Sequence, residues 1–158
     1  MSERRHSRVV NVDEVEPKPS EKGTRFGATR RHLGIATGAT GLGCTHYEVP
    51  PGRTAFPHHF HCLNDEAIYI LEGEGTLRLG DERIAVRPGD YVTIPPGPAT
   101  AHQLENSGAR PLRYLCFSTL KSADIVGYPD SKKLAAMAGE SYASVLKGQT
   151  WARLVVRE

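Results

Sequence analysis

The chain has 158 residues, a length that one hydrophobic core serves, with 39% apolar and 24% charged residues and a formal net charge of +2. That balance favours neither disorder nor membrane residence. Basic residues cluster only at Arg4, Arg5 and Arg8 and at the pair Arg30, Arg31, too little for a nucleic-acid footprint. No apolar run approaches the roughly 20 residues of a membrane span, and the first residues show no hydrophobic signal core. A cytoplasmic protein with no membrane or nucleic-acid partner is the expectation.

Residues 1–32 read as a polar N-terminal arm carrying Pro17 and Pro19, with one candidate edge strand at Arg8 to Val12. From 33 to 120 short alternating or apolar segments follow one another: THYEV, EAIYIL, GTLRL, ERIAV, DYVTI, HQLEN and RYLCFS. Gly- and Pro-rich turns separate them at Pro50–Gly52, Glu72–Gly75, Leu79–Glu82, Arg87–Asp90 and Pro95–Pro98. Strands at this spacing predict an all-β antiparallel sandwich or barrel. Residues 121–158 form a C-terminal extension in which YPDS is a turn and KKLAAMAGESYASVLKG contains a short helix broken near Gly139. The three cysteines, Cys44, Cys62 and Cys116, show no CxxC pairing and are expected to be reduced and mostly buried.

Three of the seven histidines fall together at His58, His59 and His61. Side chains two apart on a strand share a face, so His59 and His61 present two imidazoles to one point while His58 and Phe60 turn away. Cys62, directly after His61, is likewise turned from it. Glu66 opens the apolar run AIYIL and shares a face with Ile68 and Ile70. A carboxylate there needs a partner or a cation. Asp65 faces outward.

The segment PGRTAFPHHFHCLNDEAIYILEG resembles the first motif of the cupin superfamily through Gly52, His59, His61, Glu66 and Gly73. GDYVTIPPGPATAHQLEN resembles the second through Gly89, Pro95, Gly97, His102 and Asn106. Four residues separate Gly97 from His102 where two are usual, so a longer turn has to absorb the extra pair. The resemblance implies a double-stranded β-helix, the jelly-roll barrel of a small bacterial single-domain cupin. It also implies one divalent metal ion held by His59, His61, Glu66 and His102. Three imidazoles and a carboxylate suit Zn, Mn, Fe, Ni, Co or Cu.

The function expected is binding of, or action on, a small polar molecule such as a sugar, hydroxy acid or keto acid at that metal. A non-catalytic sensor and an iron-dependent dioxygenase are the alternatives, with isomerase, decarboxylase or lyase chemistry also open. No catalytic residue is assigned. Tyr47, Tyr69, Tyr91 and Tyr114 are possible proton carriers, although packing is the commoner role for a strand tyrosine. Cupin barrels commonly pair their sheet edges in dimers, and Val9 to Val12 is the candidate for exchange in a homodimer.

Overall fold

A computed structural model describes residues 5–138. Twelve strands and one short helix fill them: β1 (Lys18–Lys22), β2 (Phe26–Arg31), α1 (Leu33–Ala36), β3 (Leu42–Val49), β4 (Phe60–His61), β5 (Glu66–Glu72), β6 (Gly75–Leu79), β7 (Glu82–Val86), β8 (Tyr91–Ile94), β9 (His102–Glu105), β10 (Leu112–Thr119), β11 (Ala123–Tyr128) and β12 (Lys133–Ala138). They form a six-stranded sheet, β1-β2-β3-β10-β5-β8, and two three-stranded sheets, β12-β11-β4 and β7-β6-β9. All ladders between these strands are antiparallel.

Alternation builds the core. On β5, Glu66, Ile68 and Ile70 are buried while Tyr69 is exposed. The neighbouring strands turn Tyr47, Val49, Leu112, Tyr114 and Ile94 toward the same interior. Leu77, Val86 and Leu104 meet them from the β7-β6-β9 sheet, so the apolar core lies between two facing layers. Val49, Ile70, Leu77 and Leu112 are almost wholly buried, each stabilising the fold by about 1.5 to 3 kcal/mol relative to exposure. Glycine is required at Gly73, which turns β5 into β6 at φ +82°, where an added Cβ would meet the Pro111 carbonyl oxygen at 2.5 Å.

Both flanks are woven into these sheets. The strand expected at Arg8 to Val12 does not form. Asn11 instead caps a 3-10 turn at Val12–Glu14, its side chain accepting from the Asp13 amide while Glu14 accepts the Asn11 amide. That reciprocal box satisfies the backbone locally and removes the segment from any ladder. The strand-exchange role expected of Val9 to Val12 therefore has no strand to carry it. The sheet edge is β1, in which Pro19 is tolerated because the strand pairs only with β2. In the extension, the start of the segment expected to be helical is strand β12, paired with β11 from Ala123–Ala138 to Tyr128–Lys133. Its remainder, with the break near Gly139, lies outside the described residues. Lys132, at φ 52°, follows a 3-10 turn at Pro129–Ser131 and reverses the chain between these two strands.

Candidate metal centre

His59 precedes β4 and pairs backbone to backbone with His102: the His59 amide donates to the His102 carbonyl at 3.0 Å, and the His102 amide donates back at 2.7 Å. This pairing seats the two rings side by side, with centroids 4.5 Å apart. The two extra residues before His102 are taken up by a 3-10 turn at Pro98–Thr100. His61 follows on β4, two residues from His59, and lies in register with Val126 of β11. Glu66 enters at the first position of β5, opposite Ser118 and Ile94.

Three of the four residues form one cluster, and His102 joins it through Glu66 and the His59 ring. Donor atoms of His59, His61 and Glu66 lie within 4.8 Å of one another, and His102 Nε2 is 3.1 Å from Glu66 Oε2. His61 Nε2 is 3.6 Å from the same oxygen.

Each imidazole is held by its other nitrogen. His59 Nδ1 lies 2.8 Å from the Pro57 carbonyl, His102 Nδ1 3.2 Å from the Thr100 carbonyl and His61 Nδ1 2.6 Å from Asp124 Oδ2. These partners are acceptors, so a neutral ring places its proton on Nδ1 and a lone pair on Nε2. Burial, with the charge of His102 next, pushes His59 down to about 3. Burial raises the Glu66 carboxyl, but with the rings protonated a hydrogen bond from His102 Nε2 and the charges of the three imidazoles outweigh it and hold the group down to about 2.

Asp124 was not among the residues the sequence singled out. It is an acid at an inward position of a strand otherwise burying Val126 and Gly127, the same signal that marked Glu66. Other expected residues fall elsewhere. His58 is buried on the opposite side, its Nδ1 3.6 Å from Asp130, and Asp65 is exposed. Cys62 is exposed as well and Cys44 and Cys116 are half-buried, so the expectation of mostly buried thiols fails: alternation carries Cys62 away from the interior that holds His61. Asn106 is a structural residue, donating to the Val49 and Arg110 carbonyls and accepting the Gly108 amide. Tyr47 and Tyr114 stack in the core, whereas Tyr69 and Tyr91 are exposed.

Glu66 also borders a cavity of about 360 Å³. Its Oε2 faces the histidines, while Oε1 lies 3.8 Å from Cys116 Sγ on the cavity wall. Thr45, Ser118 and Asn64 give the wall polar groups, and Ile35, Leu120 and Met137 give it apolar surface.

Residues 45–118 match the family model of the cupin domain, and the fold matches solved structures of that superfamily. The chain carries a cupin domain over residues 45–118. It is 43% identical over 70 residues to an uncharacterized protein of Methanocaldococcus jannaschii, covering 44% of this chain and 54% of the relative, so it spans about half that protein's length. The cupin-superfamily sugar phosphate isomerase from Silicibacter pomeroyi has a TM-score of 0.79 at 22% identity, with 92% of each chain covered. The polyketide cyclase of Streptomyces resistomycificus has a TM-score of 0.58 at 29% identity, covering 77% of this chain and 81% of the other. The cupin barrel here is accordingly a double-stranded β-helix, with Glu66 placed between the three histidines and the interior cavity. No helix among the described residues is long and apolar enough to cross a membrane.

Proposed function

We propose that the protein binds one divalent metal ion through His59, His61, Glu66 and His102 and holds a small oxygen-bearing organic molecule against it in the adjoining cavity. One observation carries the reading. The Nδ1 atoms of three imidazoles already face acceptors, so the neutral rings turn lone pairs toward the Glu66 carboxylate. Lone pairs 3.1 and 3.6 Å from a carboxylate oxygen repel it unless positive charge, a ring proton or a metal ion, lies among them. Near neutral pH a divalent metal meets that need, and mixed nitrogen and oxygen donors fit Zn, Mn, Fe or Ni. Such an ion supplies Lewis-acid polarisation of a coordinated oxygen.

The cavity narrows the ligand class. Among its described lining residues Lys121 is the one lysine or arginine, set against the carboxylates of Glu66 and Asp124. Burial, with Arg30 and Lys18 next, lowers the His32 pKa and favours its neutral form. A hydroxy or keto compound with an apolar body fits this wall better than a doubly charged phosphate does. The likeness to a polyketide cyclase supports the same direction.

Metal analysis of protein purified without a histidine tag, repeated on His59→Ala and Glu66→Ala, tests the assignment. Stoichiometric metal in the parent protein and its loss from both variants is the expected result, and unchanged content in both overturns the ligand set. Turnover of such ligands by metal-loaded protein separates an enzyme from a binding module. A cytoplasmic homodimer completes the proposal. Tyr69 and Tyr91, paired across β5 and β8 and 39% and 65% exposed, support the dimer.

A further inference from the structure

Asp124 is 4% exposed, and its carboxylate is surrounded by donors whose identities leave no choice. Oδ1 accepts the backbone amides of Leu63 at 2.9 Å and Ile125 at 2.8 Å. Oδ2 accepts Asn64 Nδ2 at 2.7 Å and faces His61 Nδ1 at 2.6 Å. The Asn64 amide cannot be turned over, because its Oδ1 already accepts the Lys121 backbone amide at 3.0 Å and the Thr119 hydroxyl at 3.1 Å. Asp124 Oδ2 therefore has to be an acceptor. His61 must donate from Nδ1, and in the neutral ring its Nε2 carries the lone pair that points at Glu66.

From this geometry we infer that Asp124, on the C-terminal hairpin, is a positioning residue for the metal centre that fixes His61 in the Nδ1–H tautomer. The inference rests on the metal reading above for its consequence, but the tautomer itself is set by hydrogen bonds alone. The hairpin is tied to the ligand strand by backbone contacts as well. The Cys62 amide donates to the Ile125 carbonyl at 2.9 Å, and Gly127 lets β11 approach Phe60 so closely that a Cβ there would lie 2.3 Å from the ring.

Asp124→Asn tests the inference with almost no change of shape. Two backbone amides keep the Asn oxygen at the Oδ1 position, so the amide nitrogen takes the place of Oδ2 and offers a proton to His61 Nδ1; it also opposes the Asn64 amide nitrogen, and Asn64→Ala in the same chain removes that second donor. The ring then has to carry its own proton on Nε2, where it blocks metal ligation. Histidine-ligand partners of this kind are worth about 10- to 100-fold in metal affinity. Zinc titration calorimetry is expected to give a dissociation constant weaker by that factor in Asp124→Asn. In Asn64→Ala, which keeps the aspartate–histidine pair, the constant is expected to stay near the parent value.

The readout that a merely structural role would not move is the ¹⁵N shift pattern of the His61 ring in metal-free protein. It should change from Nδ1–H to Nε2–H in Asp124→Asn. Unchanged zinc affinity with an unchanged tautomer overturns the proposal. So does an Nε2–H ring in the metal-free parent protein, a measurement that stands even if the variant does not fold. If the parent protein binds no metal although His61 is Nδ1–H, the metal reading fails and the hydrogen-bond assignment survives.

Discussion

Acidifying the metal-free protein should unfold it through His59. An unfolded histidine titrates near 6.5, whereas His59 in the fold is pushed down to about 3, chiefly by burial and next by His102. The unfolded state therefore binds more protons throughout that window, and stability falls as the pH falls. The stabilisation is fully present above about pH 6.5 and is lost progressively toward pH 3. Each pH unit inside the window costs about 1.4 kcal/mol, so His59 alone removes about 3 kcal/mol between pH 6.5 and 4. That is a large share of the 5 to 15 kcal/mol of a typical domain. His32 and His46 are also lowered, chiefly by burial, and act in the same direction. The informative quantity is thus a difference. Urea denaturation in chelator at pH 7, 6, 5 and 4 should show the parent protein losing about 3 kcal/mol more than His59→Gln. Parallel losses in the two proteins would refute the placement of a half-buried, neutral His59.

Below about pH 4.5 the Glu66 carboxylate adds its own loss as it is forced to protonate, since its folded value lies near 2. Metal removal should lower the melting temperature: a metal at 100 times its dissociation constant contributes about 2.7 kcal/mol, or roughly 5 to 10 °C for a chain of this size. Chelator titration followed by calorimetry reads it. Gly127→Val should drive β11 away from Phe60 and weaken zinc binding well beyond Gly23→Ala. At Gly23 nothing lies within 4 Å of an added Cβ, and the strain of its positive φ costs about 1 kcal/mol. Paired zinc titrations decide that comparison, and equal affinities would refute it. Light scattering should give the mass of a dimer, with Tyr91→Lys shifting it toward the monomer. Metal should also raise amide-exchange protection at Cys62 and Ile125, because binding energy at His61 and docking of the hairpin are linked. Protection unchanged by zinc would break that link.

The strands that carry the centre were legible because their periodicity and chemistry agree. Glu66, Ile68 and Ile70 alternate with exposed Tyr69 as an inward-facing row must. The misread segments fail for identifiable reasons. Residues Arg8 to Val12 have the β-branched content of a strand, but Asn11 and Glu14 together close a capping box that outcompetes pairing. Lys18–Lys22 is polar and contains a proline, which hides a strand that is paired on one side only. KLAAMA is rich in good helix formers, yet its ladder with β11 overrides that weak local preference.

The partner of Asp124 was hidden for a different reason. The role of Asp124 depends on which strand lies beside β4, and nothing local to residues 121–128 specifies a partner 63 positions upstream. Once β11 is paired with β4, the chemistry follows without further choices. His59 and His102 can be fixed by carbonyls two residues away in their own chain segments, at Pro57 and Thr100. His61 lies on a strand whose neighbouring carbonyls serve the sheet, so its Nδ1 must look across to another element for an acceptor. A carboxylate from the hairpin fills that place, and it does so at a site where Glu66 already brings negative charge toward the rings. Two buried carboxylates around one imidazole are costly without positive charge. The demand for positive charge that Glu66 creates is therefore increased by Asp124, which lies outside the matched cupin domain, residues 45–118.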